Sequence, residues 1–327
     1  MVAKSPKINL NTAGRIDLVN PENLELLKKY NVDMTIRELS KSTIEAYNYS
    51  LKQWFVYILL FQDNRSVLSI IDEDITVFLY WCKNYGNNTN RMRFRCSSIA
   101  AFYKFLRKKK YLIANPTEFI EPPRKTNLVT VQTFLTPAEI ALMREKLITN
   151  GDIQLRLYAM LSLSTMARLS AIASLRWRQI DIEHCVIHNV LEKEGKVVEL
   201  YFNDEVKQLL LQLKEMREIR ENIAINNPHR RKKDYGWLFY TGRCTPERHI
   251  SSSTLFTWCK KIGYMIDVPT LHPHDLRHSA ATMLRNAGMP LEDISVLLNH
   301  ESTDTTKKFY IKEDKERINA AKNRYGY

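Results

Sequence analysis

The chain has 327 residues, 44% of them apolar, which suits two globular domains and excludes a disordered polyelectrolyte. Its net charge is +13, with 20 basic and 12 acidic residues in 1–127 and 29 and 24 in 128–327, so both halves are basic, as expected of a chain that meets one polyanion along its length. The strongest apolar run, Trp54–Phe61, is too short for a bilayer span, the N-terminus lacks an apolar signal core, and the five scattered cysteines form no CxxC pair; these features argue against a membrane partner, export, a disulfide framework and a zinc site, and lead to an expected cytoplasmic location.

Residues 1–35 read as a loosely ordered N-terminal arm with one short helix near Pro21–Tyr30. From Ser40 the apolar spacing is helical: Tyr47, Leu51, Trp54, Phe55 and Ile58 recur at three- and four-residue intervals, with Ser42 as cap and Glu45 completing a capping box. Further helices are expected over Asp72–Lys83 and Arg91–Lys108, separated by Gly86-Asn87-Asn88. Together these make a small all-helical domain over 36–120. Its last helix interleaves Phe94, Phe102, Tyr103 and Phe105, read as core, with Arg91, Arg93, Arg95, Lys104, Arg107 and Lys108, the candidate DNA contacts. Arg91 and Arg95 share a face at a spacing of four.

Asn115-Pro116 ends that domain, and an extended, charged segment with Pro122-Pro123 makes 121–134 a linker. A second domain over 135–310 starts at Thr136-Pro137-Ala138-Glu139, a cap, a proline at the first helical position and a box-closing glutamate. Helical patterns follow to Arg156 and then from Leu157 to about Leu175. Two β-branched stretches, Cys185–Leu191 and Val197–Phe202, flank Lys193-Glu194-Gly195-Lys196 as a hairpin. The remainder is mainly helical and is broken at Asn226–Asp234. The expected fold class is therefore mainly α (α+β), with a small β-hairpin in the second domain.

Residues 271–310 carry the chemistry. Pro273 and Asp275 favour a helix start, with His274 at its mouth and Arg277 one turn inside. Gly288 stops that helix, Pro290 starts another to about Leu298, and His300 lies just beyond; Thr303 or Asp304 caps a short helix leading to Tyr310. His-x-x-Arg alone is a cheap match in a chain with eight histidines. Its combination with an upstream arginine, a hairpin lysine and the tyrosine is not. His272, His274 and His278 form one histidine cluster and His184 and His188 another, but neither has a carboxylate or cysteine set at ligand spacing, so no metal and no cofactor are expected.

On these residues the sequence resembles the tyrosine recombinase (phage integrase) family over roughly residues 40–315, the helical half being similar to its core-binding domain. The family's first arginine stands in a pattern matched by Met166-Ala167-Arg168-Leu169-Ser170 followed by Leu175-Arg176-Trp177. Its hairpin lysine is matched by Lys193, with Lys196 as alternate. His274 and Arg277 match its His-x-x-Arg helix, His300 its second histidine and Tyr310 its nucleophile.

The sequence departs from the pattern twice. Many members carry an acid three residues after the first arginine, where this chain has Ala171, so that the buttress of Arg168 is lost or supplied elsewhere. Members usually have Gly before the second histidine; here it is Asn299, which fits if it adopts a left-handed cap.

The resemblance implies strand cleavage and rejoining through a 3′-phosphotyrosine at Tyr310 and a Holliday junction. It implies a homo-tetramer on double-stranded recombination sites, with residues 311–327 docking on a neighbouring protomer and an accessory DNA-bending or directionality protein as a possible partner. Integration or excision of a mobile element is the expected role, ahead of chromosome-dimer resolution. A type IB topoisomerase-like enzyme and a catalytically silent DNA-binding relative are the alternatives.

Overall fold

The computed structural model describes residues 10, 14–124, 134–192, 195–225 and 235–299. The chain divides into two compact units, Met1–Val129 and Thr130–Tyr327, each with its own apolar core.

The first unit is helical throughout its described elements: α1 (Pro21–Ile36), α2 (Lys41–Phe61), α3 (Asp72–Asn84) and α4 (Thr89–Lys108). Leu51, Trp54, Phe55 and Ile58 of α2 are buried, and they meet Phe102, Tyr103 and Leu106 of α4. Between these two helices the buried Ser50 and Ser98 hydroxyls bond each other at 2.7 Å.

The expected arm is corrected from Pro21 onward. Asn20 caps α1, Pro21 takes its first position, and the helix runs six residues past Tyr30 because Leu26, Leu27, Tyr30 and Met34 face the core. Buried Asn23 fastens α1 to the segment before α3: its amide donates to the Arg65 carbonyl at 3.1 Å and its oxygen accepts from Val67 N–H at 2.7 Å. The α2 cap is also corrected, from Ser42 to Ser40, whose Oγ accepts from Thr43 N–H at 3.2 Å.

In the second unit, Thr136, Pro137 and Glu139 start α5 (Pro137–Asn150) as the capping box dictates, and Gly151 closes it at φ +71°. The break therefore falls at Gly151-Asp152 and not at Arg156. Next come α6 (Ile153–Thr165) and α7 (Leu169–Ala173). Helix α6 buries Leu155, Leu157, Tyr158, Ala159, Met160 and Leu161, apolar on nearly every side, and it packs against α5, α8 (Asp204–Ile225), α9 (Ser252–Met265) and α10 (Pro273–Asn286) as the central strut. The single helical run expected over Leu157–Leu175 is interrupted because Met166 takes a left-handed conformation, φ +51°, at the end of α6.

The hairpin is part of an antiparallel sheet of β1 (Ile180–Asp181), β2 (Val186–Leu191) and β3 (Val197–Tyr201). Ile187 pairs with Leu200 and Leu191 with Val197, with a bulge between Ile187 and Val190 where Asn189 has φ +54°. An odd spacing would put Ile187 and Val190 on opposite faces; the extra residue re-phases the strand so that both are buried. After α10, Gly288 reverses the chain at φ +98° into α11 (Leu291–Leu297), and Asn299 follows at φ +49°. No helix among the described residues is long and apolar enough to cross a membrane.

Candidate active site

Helix α10 opens the site. Pro273 stands at its first position, and His272 N–H donates to Asp275 Oδ2 at 2.7 Å while His272 Nδ1 accepts from His274 N–H at 3.4 Å. Burial pushes the Asp275 carboxyl up, opposed by the bond from His272. Ser279 ties the helix to the start of α5, accepting from Leu135 N–H at 2.7 Å and donating to the Asp275 carbonyl at 2.6 Å. His272 is therefore a cap residue, its ring stacked on that of His274 at 5.6 Å and set edge-on to Phe256.

Arg277, one turn in, is buried. It donates through Nη1 to the Met166 carbonyl and through Nη2 to the Leu298 carbonyl, so it joins the loop that carries Arg168 to the end of α11, two residues before His300. The left-handed turn at Met166 is what aims that carbonyl inward. Arg168 follows as the residue before α7, in extended conformation with its side chain partly exposed.

His274 lies open to solvent on one face, yet its ring is crowded enough that burial is the largest cause of a lowered pKa. His272 and then Arg277 lower it further, Asp275 opposes them, and Arg168 adds the smallest lowering effect. Arg168 and Arg277 thus both lie within electrostatic reach of His274. His278, half-buried on the same helix, is likewise held below the usual imidazole range, first by burial and then by His274 and Arg277. Lys193, His300 and Tyr310 lie outside the described residues, as does the 311–327 tail. Asn299 immediately before His300 adopts the left-handed conformation expected of it.

One site residue was not singled out from the sequence. Glu192, whose side chain has no exposed surface, pairs through Oε2 with Arg168 Nη1, while Ala171 is fully buried in the apolar core. The signal was available: the missing acid at 171 calls for a carboxylate elsewhere, and strand alternation from inward Val190 turns residue 192 inward.

On α4 the candidate DNA contacts separate. Lys104, Arg107 and Lys108 are exposed, Arg107 lying 3.7 Å from Glu118; Arg91 is partly exposed, and Arg93 donates to the Pro123 carbonyl. Arg95 is corrected. It is 2% exposed, donates through Nε to Asn87 Oδ1 at 3.0 Å, lies over the Phe78 ring, and has its pKa lowered by burial. It therefore does not share an outward face with Arg91, because α4 turns that position into the core. Phe102, Tyr103 and Phe105 are buried as expected, and Phe94 packs edge-on against Tyr47.

Comparison with known sequences matches residues 133–317 to the phage integrase family and 29–110 to the phage integrase N-terminal SAM-like domain. The chain belongs to the phage integrase family of tyrosine recombinases. As a tyrosine recombinase it is an enzyme of DNA strand cleavage and rejoining. It is 26% identical to tyrosine recombinase XerC of Herpetosiphon aurantiacus over 86% of this chain and 88% of that protein. In fold it is similar to the XerH site-specific recombinase bound to palindromic difH substrate in a post-cleavage complex (TM-score 0.68, 18% identity, 90% of this chain and 83% of that one). It is also similar to a lambda integrase tetramer bound to a Holliday junction (TM-score 0.62, 15% identity, 85% and 74%).

Proposed function

We propose that this tyrosine recombinase is a site-specific enzyme in which Tyr310 attacks a DNA phosphodiester to form a 3′-phosphotyrosine, expelling a 5′-hydroxyl that later attacks in the partner duplex. The observation that carries the reading is the meeting of Arg168, His274 and Arg277 at one place, with His274 biased to its neutral form. Attack gathers negative charge on the non-bridging oxygens, and preorganised guanidinium donors meet that charge. Arg277 is locked by two carbonyls and so enters the reaction without reorganising. The tyrosine hydroxyl, with an intrinsic pKa near about 10, needs an acceptor, and a neutral His274 can take its proton. Lys193, with Lys196 as alternate, protonates the leaving oxygen from the hairpin turn, and His300 holds a phosphate oxygen. Because the phosphotyrosine conserves the bond energy, rejoining consumes no nucleotide.

Two duplex sites held by four protomers and exchanged through a Holliday junction are the assembly we assign to it, a reading supported by likeness to the lambda integrase tetramer. We assign the helical unit from Pro21 to residue 120 to DNA binding, 121–134 to the linker, 135–310 to catalysis and 311–327 to docking between protomers. The departures at Ala171 and Asn299 favour the recombinase of a mobile element. The likeness to XerC favours a second reading, resolution of chromosome dimers, and the two are told apart by whether the cleaved site bounds a mobile element.

The test is incubation with a nicked duplex from the chain's own genetic neighbourhood, read on a denaturing gel beside Tyr310→Phe. Wild type gives a protein–DNA adduct and Tyr310→Phe gives none. An adduct that persists in Tyr310→Phe overturns the assignment.

A further inference from the structure

Among the described residues Arg168, unlike Arg277, is not held by backbone carbonyls. It precedes a five-residue helix, makes no cap bond, and is 27% exposed. Arg277 is held by two carbonyls and His274 by the capped start of α10. Something must choose one conformation from the four torsions of Arg168, because a small misplacement of a charge from the reacting phosphate costs a large factor in rate.

We propose that Glu192 is the positioning residue for Arg168, and that through it the root of the lysine hairpin and the phosphate clamp are fastened together. This rests on the recombinase reading above. Three features support it. Strand alternation after the bulge sends Val190 inward, Leu191 outward and Glu192 inward again, so the carboxylate lies on the core side of the sheet by register. Its side chain has no exposed surface, and among the described residues Oε1 has no hydrogen-bond partner, so the Arg168 guanidinium is the counter-charge that makes its burial tolerable. Finally, Glu192 N–H donates to the Lys196 carbonyl at 2.8 Å, and Gly195 supplies φ +76°. The backbone of Glu192 thus bonds across the hairpin to Lys196, while its side chain holds Arg168.

A guanidinium has five donors in a planar fork. The contact with Glu192 uses Nη1 and leaves the rest of the fork for a phosphate. Ala171 is fully buried among apolar groups and carries no charge for Arg168, so the carboxylate comes from the end of β2 instead.

The experiment measures single-turnover adduct formation at saturating protein on a nicked duplex carrying the recombination site, for wild type, Glu192→Gln and Glu192→Asp. A second duplex carries a methylphosphonate at the scissile position, where a methyl replaces one charged non-bridging oxygen. On the phosphodiester, Glu192→Gln is expected to be slower by about 10²-fold with DNA affinity unchanged, and Glu192→Asp to recover part of the rate. On the methylphosphonate the deficit shrinks, because the clamp has less charge to meet. Should Glu192→Gln fail to fold, Glu192→Asp carries the same comparison. Wild-type rate in Glu192→Gln, or an equal deficit on both substrates, overturns the proposal. A wild type that forms no adduct on either duplex overturns the recombinase reading itself, and this inference with it.

Discussion

At the scale of single residues, burial and neighbouring charge decide which histidines can accept a proton near neutrality. His274 and His278 are held below the usual imidazole value by burial and by the cations around them, whereas exposed His184 is raised by its bond to Asp181. An NMR titration of the imidazole resonances is expected to place His274 and His278 below about 6.5 and His184 above it. If, as proposed, neutral His274 accepts the tyrosine proton, the cleavage rate should hold as pH drops through about 6.5 and fall only through the lowered pKa. The stability sign agrees: for a depressed histidine, the unfolded chain binds more protons, so this contribution is present above the unfolded pKa and is lost as pH falls. A His274 resonance that titrates above that of His184 would remove the basis for its role as acceptor.

At the scale of elements, close backbone approach outranks helix propensity. Gly263 lies inside α9, and a Cβ there would meet the Val268 carbonyl oxygen at 2.5 Å and Leu271 Cβ at 2.9 Å. The approach is fixed by Val268 N–H, which donates to the Gly263 carbonyl at 2.8 Å as the chain turns from α9 toward α10. Alanine is the better helix former by about 1 kcal/mol. Overpacking against backbone costs about 1–3 kcal/mol. Gly263→Ala is therefore expected to unfold at lower urea concentration than wild type; a higher midpoint would mean that the turn can yield. The same contact helps set where α10 begins, and so where His274 and Arg277 stand.

At the scale of the whole molecule, two units with separate cores are joined by a short segment, and each carries net positive charge. If both contact phosphates, each contributes its own counterion release, and log K falls with log salt at about 0.9 per phosphate contacted on duplex DNA. Fluorescence anisotropy on one duplex should give the full chain a steeper salt dependence than residues 1–129 or 130–327 alone, and a tighter affinity than either, because the linked second unit binds at high effective concentration. A single segment that reproduces the entire slope would confine DNA contact to that unit.

Local chemistry wrote much of this protein into its sequence. The Thr136-Pro137-Glu139 start of α5, the Gly288 stop, the left-handed Asn299 and the hairpin around Gly195 each follow from what a few neighbouring residues can do with their own backbone. The spacing of His274 and Arg277 on a proline-started helix was legible for the same reason. Helical periodicity alone did not reveal which face of α4 turns inward, so Arg95 read as a surface cation until packing against Phe78 and Asn87 placed it in the core. Likewise α1 read as an arm, because its attachment depends on residues more than forty positions away, Arg65 and Val67. The partner of Arg168 is the clearest case of what only the tertiary structure decided. Arg168 and Glu192 lie 24 residues apart, one just before α7 and the other just past β2, and although the missing acid at 171 calls for a carboxylate elsewhere, only the bulged register identifies it as Glu192. Their meeting depends on a one-residue bulge that sets the strand's register and on the sheet packing beside α6.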